Sequence, residues 1–198
     1  MDDNKHIIIG VIGFFIILIG AIWIFSDKSP ADTVETNVPT TTSVNGTIQT
    51  TKGNIEIELF IDRAPNTVGN FAALAFSGFY TGIKVHRLVP DFIVQAGDPL
   101  TKTLPLDDPR IGTGGADPIK DEFHPELRNV RGTLSMANSG PNTGSSQFFI
   151  NLIDNNFLDF DQEPLSSKHA VFGRVTGGMD IVESLEVGDE ILSVIIKQ

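Results

Sequence analysis

The chain has no cysteine among its 198 residues. A disulfide framework, a cysteine-ligated zinc and a thiol nucleophile are therefore closed to it. Basic residues are also scarce: 14 Lys and Arg stand against 25 Asp and Glu, giving a net charge of −11. Nucleic acid is a poor partner for such a chain, because phosphate binding needs a basic face. The acids are spread along the sequence and read as a solvating surface. His86, His124 and His169 lie far apart without ligand spacing, so no metal site is expected. Ser135 and Ser145 lack the context of a nucleophile elbow. Gly112-Thr113-Gly114-Gly115 has the look of a phosphate cradle, but no Lys-Ser/Thr follows it to complete a P-loop. It reads instead as a backbone-rich loop edging a site. No cofactor is expected. A glycosidase pair of carboxylates cannot be singled out from 25 acids. No internal repeat is present.

One long hydrophobic run is present. Residues 7–25 carry no charge, and at about 1.5 Å per residue their length matches a bilayer core of roughly 30 Å. Trp23 stands near one end, where interfacial aromatics collect, and Lys5 and Lys28 bracket the run. A cleaved leader would have a shorter apolar core and a small-x-small site, which Ile22-Trp23-Ile24-Phe25 lacks. The sequence thus predicts an N-terminal tail (1–6), a single transmembrane helix in contact with lipid (7–25), a Ser/Thr/Pro-rich linker (26–45) and one domain (46–198). A short tail before a large C-terminal domain suits a signal-anchor, with the domain outside the cytoplasm. The linker has too little apolar surface to fold. Asn45-Gly46-Thr47 matches a glycosylation sequon.

Within the domain, strands are expected at 47–51 and 54–60 around the turn Lys52-Gly53. Ile55, Ile57 and Leu59 alternate with Glu56 and Glu58, so one face is wet. A helix opens at Ala64-Pro65, presents Val68, Phe71, Ala72, Leu74 and Ala75 on one side, and stops near Ser77-Gly78. Further strands are expected at 132–136, 147–152, 170–175 and 191–196, with an apolar turn at 156–160 and a short helix at 179–185. Many short strands with glycine-rich turns and few helices suggest a closed antiparallel sheet. The stretch from Val85 to Asp98 stands at its centre. It reads as two strands joined at Pro90-Asp91, with Arg87 and Gln95 in apolar company. A buried Arg in such a strand would need a task to offset the cost of its charge.

Here the sequence resembles the cyclophilin family of peptidyl-prolyl cis-trans isomerases. The resemblance rests on His86-Arg87-Leu88-Val89-Pro90 with Phe92, Gln95 and Gly97-Asp98. A second block runs from Leu134-Ser135-Met136-Ala137-Asn138 through Gly140-Pro141-Asn142-Thr143 to Ser146-Gln147-Phe148-Phe149-Ile150. Asp121-Glu122-Phe123-His124 and Lys168-His169-Ala170-Val171-Phe172-Gly173 agree as well. The resemblance covers residues 46–198. It implies a closed eight-stranded antiparallel barrel capped by two α-helices. It implies that Arg87 is the catalytic arginine. Phe92, Ile93, Phe149 and Leu158 would form a proline pocket. Gln95, Gly112, Ala137, Asn138, Gln147 and His169 would hold the peptide backbone. The implied partners are proline-containing segments of client proteins, bound by a monomer that assists folding at or outside the membrane.

The sequence also departs from the family pattern. Val85 stands where Phe is frequent, Asp91 and Ala96 replace glycines, and Thr143-Gly144-Ser145-Ser146 replaces Thr-Asn-Gly-Ser. Phe157 takes the place of a frequent Trp, which bears on cyclosporin affinity, and the segments 100–110 and 159–167 are longer than usual. Two other readings compete with an isomerase. One is a module that binds proline segments without turnover; the other is a structural subunit docked through its span and acidic surface.

Overall fold

The computed structural model describes residues 42–163 and 168–197. The predicted span 7–25 and the linker as far as residue 41 lie outside the described residues. Among the described residues, no helix is long and apolar enough to cross a membrane.

Eight strands make one antiparallel sheet: β1 (Val44–Thr50), β2 (Gly53–Leu59), β3 (Arg87–Val89), β4 (Ile93–Ala96), β5 (Thr133–Met136), β6 (Phe148–Asn151), β7 (Val171–Gly177) and β8 (Ile191–Ile196). Their spatial order is β3-β4-β6-β5-β7-β2-β1-β8. β1 begins at Val44, so the first strand starts inside the stretch expected to be linker. In β2 the alternation seen in the sequence holds, since Ile55, Ile57 and Leu59 are buried while Glu56 and Glu58 are partly exposed. The inward faces pack around Phe71, Tyr80, Phe148 and Phe172, whose rings meet at centroid distances of 5.0–5.8 Å.

The expected closed barrel is corrected to a curled half-barrel. The end strands β3 and β8 do not pair with each other. The seam is crossed instead by backbone bonds from the segment before β3 to the turn before β8 and its first residue: Val85 N donates to Asp189 O (2.8 Å), Gly188 N to Val85 O (2.9 Å), and Ile191 N to Ile83 O (2.8 Å). β3 is too short to do more. Pro90 has no N–H to donate, and Asp91 turns the chain at φ +54°. On its other side, Val85 is already committed to the 188–189 turn. Asp91 therefore stands at a position where glycine would be the easier residue.

Helix α1 (Pro65–Phe76) covers one end of the sheet and buries Thr67, Val68, Phe71 and Ala75 at helical spacing. Proline occupies its first turn, but Ala64 supplies no side-chain cap. A distant acid does that work. The Glu122 carboxylate accepts from Asn66 N (3.1 Å), Thr67 N (2.7 Å) and Thr67 Oγ1 (2.8 Å). A negative group at the positive end of a helix dipole stabilises it, and here it also ties the 119–124 loop to the helix. Helix α2 (Met179–Ser184) buries Val182 against β2.

Gly97 shows how tightly the segment after β4 and the segment before β6 approach. Its φ is +100°, and a Cβ there would lie 2.4 Å from Ser146 O. Ser146 Oγ donates to Gly97 O (2.8 Å), and Tyr80 Oη donates to Ser146 O (3.2 Å). Gly97→Ala should cost about 2 kcal/mol or more in unfolding free energy, read as a lowered midpoint in urea denaturation.

Candidate active site

β3, β4 and β6 lie side by side, and their register builds the site. Arg87 pairs with Gln95, and Gln95 pairs with Phe149. Arg87 is exposed, which corrects the expectation of a buried arginine. Its strand has only three residues and stands at one end of the sheet, so apolar company in the sequence does not bury it. Among the described residues Arg87 forms no ion pair. Its guanidinium donates through Nη1 to Gln95 Oε1 (3.2 Å) and lies 5.7 Å from the centroid of the Phe92 ring.

A line of polar groups runs on from there. Gln95 Nε2 donates to Gln147 Oε1 (2.9 Å). Gln147 Nε2 donates in turn to the carbonyls of Gly112 (3.0 Å) and Gly114 (2.7 Å). This strip edges a cleft of about 380 Å³ lined also by Ala137 and Asn138. Asn138 is fixed by its own bond, Nδ2 donating to Lys168 O (2.7 Å). Gly114 and Gly115 suit the cleft wall because side chains would not fit. A Cβ on Gly114 would lie 2.1 Å from Asp98 Oδ1, and one on Gly115 2.3 Å from Ser145 Oγ.

Beside the strip is an apolar cluster. Ile93, Phe149 and Leu158 form its buried base, with Phe92 and Ala137 packed against them. His169 closes another side, its ring edge-on to Phe149 at 5.2 Å. The Met136 carbonyl, 3.0 Å from His169 Nδ1, can only accept, so Nδ1 carries the proton of the neutral ring. Phe157 remains 57% exposed and stacks on Phe92 with centroids 5.8 Å apart. Of the eleven residues singled out in the sequence, Gln95, Gly112, Ala137, Asn138 and Gln147 line the cleft; Phe92, Ile93, Phe149 and Leu158 form the apolar cluster beside it; Arg87 touches Gln95 and Phe92, and His169 touches Phe149.

Other contributors were not foreseen. Asn129, Asn151, Asn155 and Asp159 are buried beneath the pocket. Asn155 Nδ2 donates to Phe92 O (3.0 Å) and to Asn151 Oδ1 (2.7 Å), while Asp159 Oδ1 accepts from Asn129 N (2.7 Å) and Nδ2 (3.0 Å). The Asn155 bond fixes the backbone at Phe92. Asn151 ends β6 and the other three stand in loops, where polar residues are ordinary, so the sequence offered no signal for their burial. Lys168, only 5% exposed, donates through Nζ to Phe157 O (3.2 Å) and holds the turn that carries Phe157 and Leu158.

Burial pushes the His169 imidazole below its ordinary value of 6.5, against the opposing bond to Met136. Burial lowers His86 in the same way. As the pH falls through 6.5, the unfolded chain takes up protons that the folded chain resists. The unfolded state then binds more protons, so stability is fully present above 6.5 and is lost as the pH falls towards the folded values. Urea unfolding between pH 7.5 and about 5 should show this decline. In His169→Gln the decline should shrink to the share left by His86.

The fold and site define the class: a curled antiparallel sheet with an apolar cluster beside a polar strip that edges an open cleft. Comparison with known proteins narrows that class. The family described as cyclophilin type peptidyl-prolyl cis-trans isomerase/CLD matches residues 46–197. Peptidyl-prolyl cis-trans isomerase ppi1 of Schizosaccharomyces pombe is 43% identical over 146 residues, covering 71% of this chain and 84% of that protein. Peptidyl-prolyl cis-trans isomerase-like 1 of Aspergillus fumigatus is 43% identical over 141 residues, covering 69% and 78%. The crystal structure of a Cryptosporidium parvum cyclophilin type peptidyl-prolyl cis-trans isomerase superposes with a TM-score of 0.67 at 30% identity, covering 79% of this chain and 99% of that one. A second structure of that protein, determined in the presence of the dipeptide Ala-Pro, gives a TM-score of 0.65 at 30% identity, covering 78% and 99%. The chain belongs to the cyclophilin-type peptidyl-prolyl cis-trans isomerases, and it is an enzyme of that class.

Proposed function

We propose that this chain accelerates rotation about X–Pro bonds in client proteins at the outer side of a membrane, to which residues 7–25 tether it. The observation that carries the catalytic part is the Arg87 guanidinium, held by Gln95 next to the apolar pocket and without an ion-pair partner among the described residues. The X–Pro amide resists rotation because resonance makes its C–N bond partly double, with a barrier of about 18–20 kcal/mol. Twisting the bond breaks that resonance and leaves the proline nitrogen pyramidal and basic. A fixed donor aimed at this nitrogen binds the twisted state more strongly than either planar state, which is what lowers a barrier. Arg87 is the donor in this account, and it has no proton to lose at ordinary pH. Phe92, Ile93, Phe149 and Leu158 grip the proline ring. Gln95, Gly112, Ala137, Asn138, Gln147 and His169 hold the peptide backbone, so the chain on one side of the bond turns against a fixed proline. No proton or covalent transfer is needed.

The Cryptosporidium structure determined with Ala-Pro supports proline segments as the ligand class. The direct experiment is titration of the full chain, in detergent micelles, with an Ala-Pro peptide followed by amide NMR. Shifts centred on Phe92, Phe149, Leu158 and His169 support the pocket, whereas shifts centred elsewhere refute it. The membrane part rests on the uncharged run 7–25 and is tested separately. Protease added outside right-side-out vesicles should degrade the domain, and full protection would contradict an external location.

A further inference from the structure

We infer that Asp98 is a positioning residue for Arg87, acting through the 112–114 turn and the glutamines Gln147 and Gln95. The inference rests on the role of Arg87 proposed above.

Asp98 follows β4 and is fully buried, at 0% exposure. A buried carboxylate needs strong donors, and among the described residues it has no ion pair. Its donors are backbone groups. Oδ1 accepts from Leu100 N (2.8 Å), and Oδ2 accepts from Gly112 N (2.5 Å) and Gly114 N (3.3 Å). No strand or helix runs from residue 103 to residue 132, so these bonds fix the 112–114 turn where regular structure does not.

The consequence is one of polarity. With the Gly112 and Gly114 N–H groups drawn to Asp98, their carbonyls both accept from Gln147 Nε2. A carbonyl can only accept, so Gln147 must present its amino group to the turn and its oxygen to Gln95. Gln95 then presents its own amino group to Gln147 and its oxygen to Arg87. Guanidinium is donor-only, so it needs that oxygen. The alternation of acceptor and donor starts at the Asp98 carboxylate and ends at the catalytic guanidinium. If the turn lost its anchor, both amides would be free to flip. Gln95 would then offer its amino group to Arg87, donor against donor, and the guanidinium would leave its bearing on the pocket. Arg87 itself is exposed and has no ion pair among the described residues to hold it otherwise.

The test is a double-mutant cycle on the full chain in micelles, measuring kcat and KM for cis–trans exchange of an Ala-Pro peptide. Asp98→Asn should lower kcat about tenfold, the scale of one lost positioning bond, with little change in KM. In an Arg87→Ala background the same substitution should change kcat by less than about twofold, because the group it positions is gone. An equal loss in both backgrounds would mean that Asp98 acts only through general structure and would overturn the inference. So would an unchanged kcat in Asp98→Asn alone. Should Arg87→Ala leave kcat unchanged, the reading of Arg87 itself falls and this inference with it, an outcome distinct from the additive one. If Asp98→Asn does not fold, Gly114→Ala serves in its place. Its methyl would lie 2.1 Å from Asp98 Oδ1 and push the turn off the carboxylate, and the same non-additivity with Arg87→Ala is expected.

Discussion

Arg87→Ala is expected to lower kcat for Ala-Pro exchange by about 100- to 1000-fold, the usual consequence of removing one fixed donor from a transition state. KM should change little, because the planar amide of the bound peptide offers the guanidinium far less than the twisted one does. The fold should be unaffected. Arg87 is exposed, its strand is three residues long, and among the described residues its side chain makes one hydrogen bond and no ion pair. The melting temperature of the variant should therefore match that of the native chain, which separates a catalytic loss from a structural one. Arg87→Lys should recover only part of the rate. An ammonium keeps the charge but has no planar fork with which to hold Gln95 and reach the pocket at once.

Phe149→Ala is expected to have the opposite profile, with a large loss of stability and of peptide affinity together. Phe149 is 2% exposed, packs with Ile93 and Leu158, and meets the edge of His169. Its backbone pairs with Gln95 on one side and Ser135 on the other. Deleting the ring leaves a cavity at the pocket base, at a cost of about 3–5 kcal/mol. For a domain of this size that corresponds to a fall of about 10 °C in melting temperature, read by calorimetry. Below that melting temperature the folded variant should bind an Ala-Pro peptide more weakly, because the base that grips the ring has gone. A variant that kept its affinity would place the proline elsewhere.

These two residues also mark what the sequence could and could not reveal. Phe149 was legible because it belongs to a block of motifs with a recognisable order, and the β4–β6 register then brings it beside Gln95. The hairpin of β1 and β2 and the helix α1 were legible from alternation and from Pro65. The exposure of Arg87 was not, because apolar neighbours in sequence do not tell that Arg87–Val89 is a three-residue strand at the end of the sheet. The open seam was not either. It depends on bonds between residues 82–85 and 188–191, about a hundred positions apart, whose local sequence says only that each is a turn. Glu122 capping α1 is a contact of the same kind, local in space and remote in sequence. Asp98 was visible as part of Gly97-Asp98, but nothing near it in the chain announces that its carboxylate holds the turn fourteen residues on. Asn129, Asn151 and Asn155 make the same point about polarity. Their types suggest surface loops, and only the folded chain shows them buried and mutually bonded beneath Phe92.

The measurement closest to the central claim is exchange NMR of an Ala-Pro peptide with a small, substoichiometric amount of the full chain. The account predicts cross-peaks between the cis and trans proline resonances at mixing times of a second or less, where the free peptide, exchanging over tens to hundreds of seconds, shows none. Peptide binding without such cross-peaks would contradict it, and would make this cleft a reader of proline segments rather than a catalyst of their rotation.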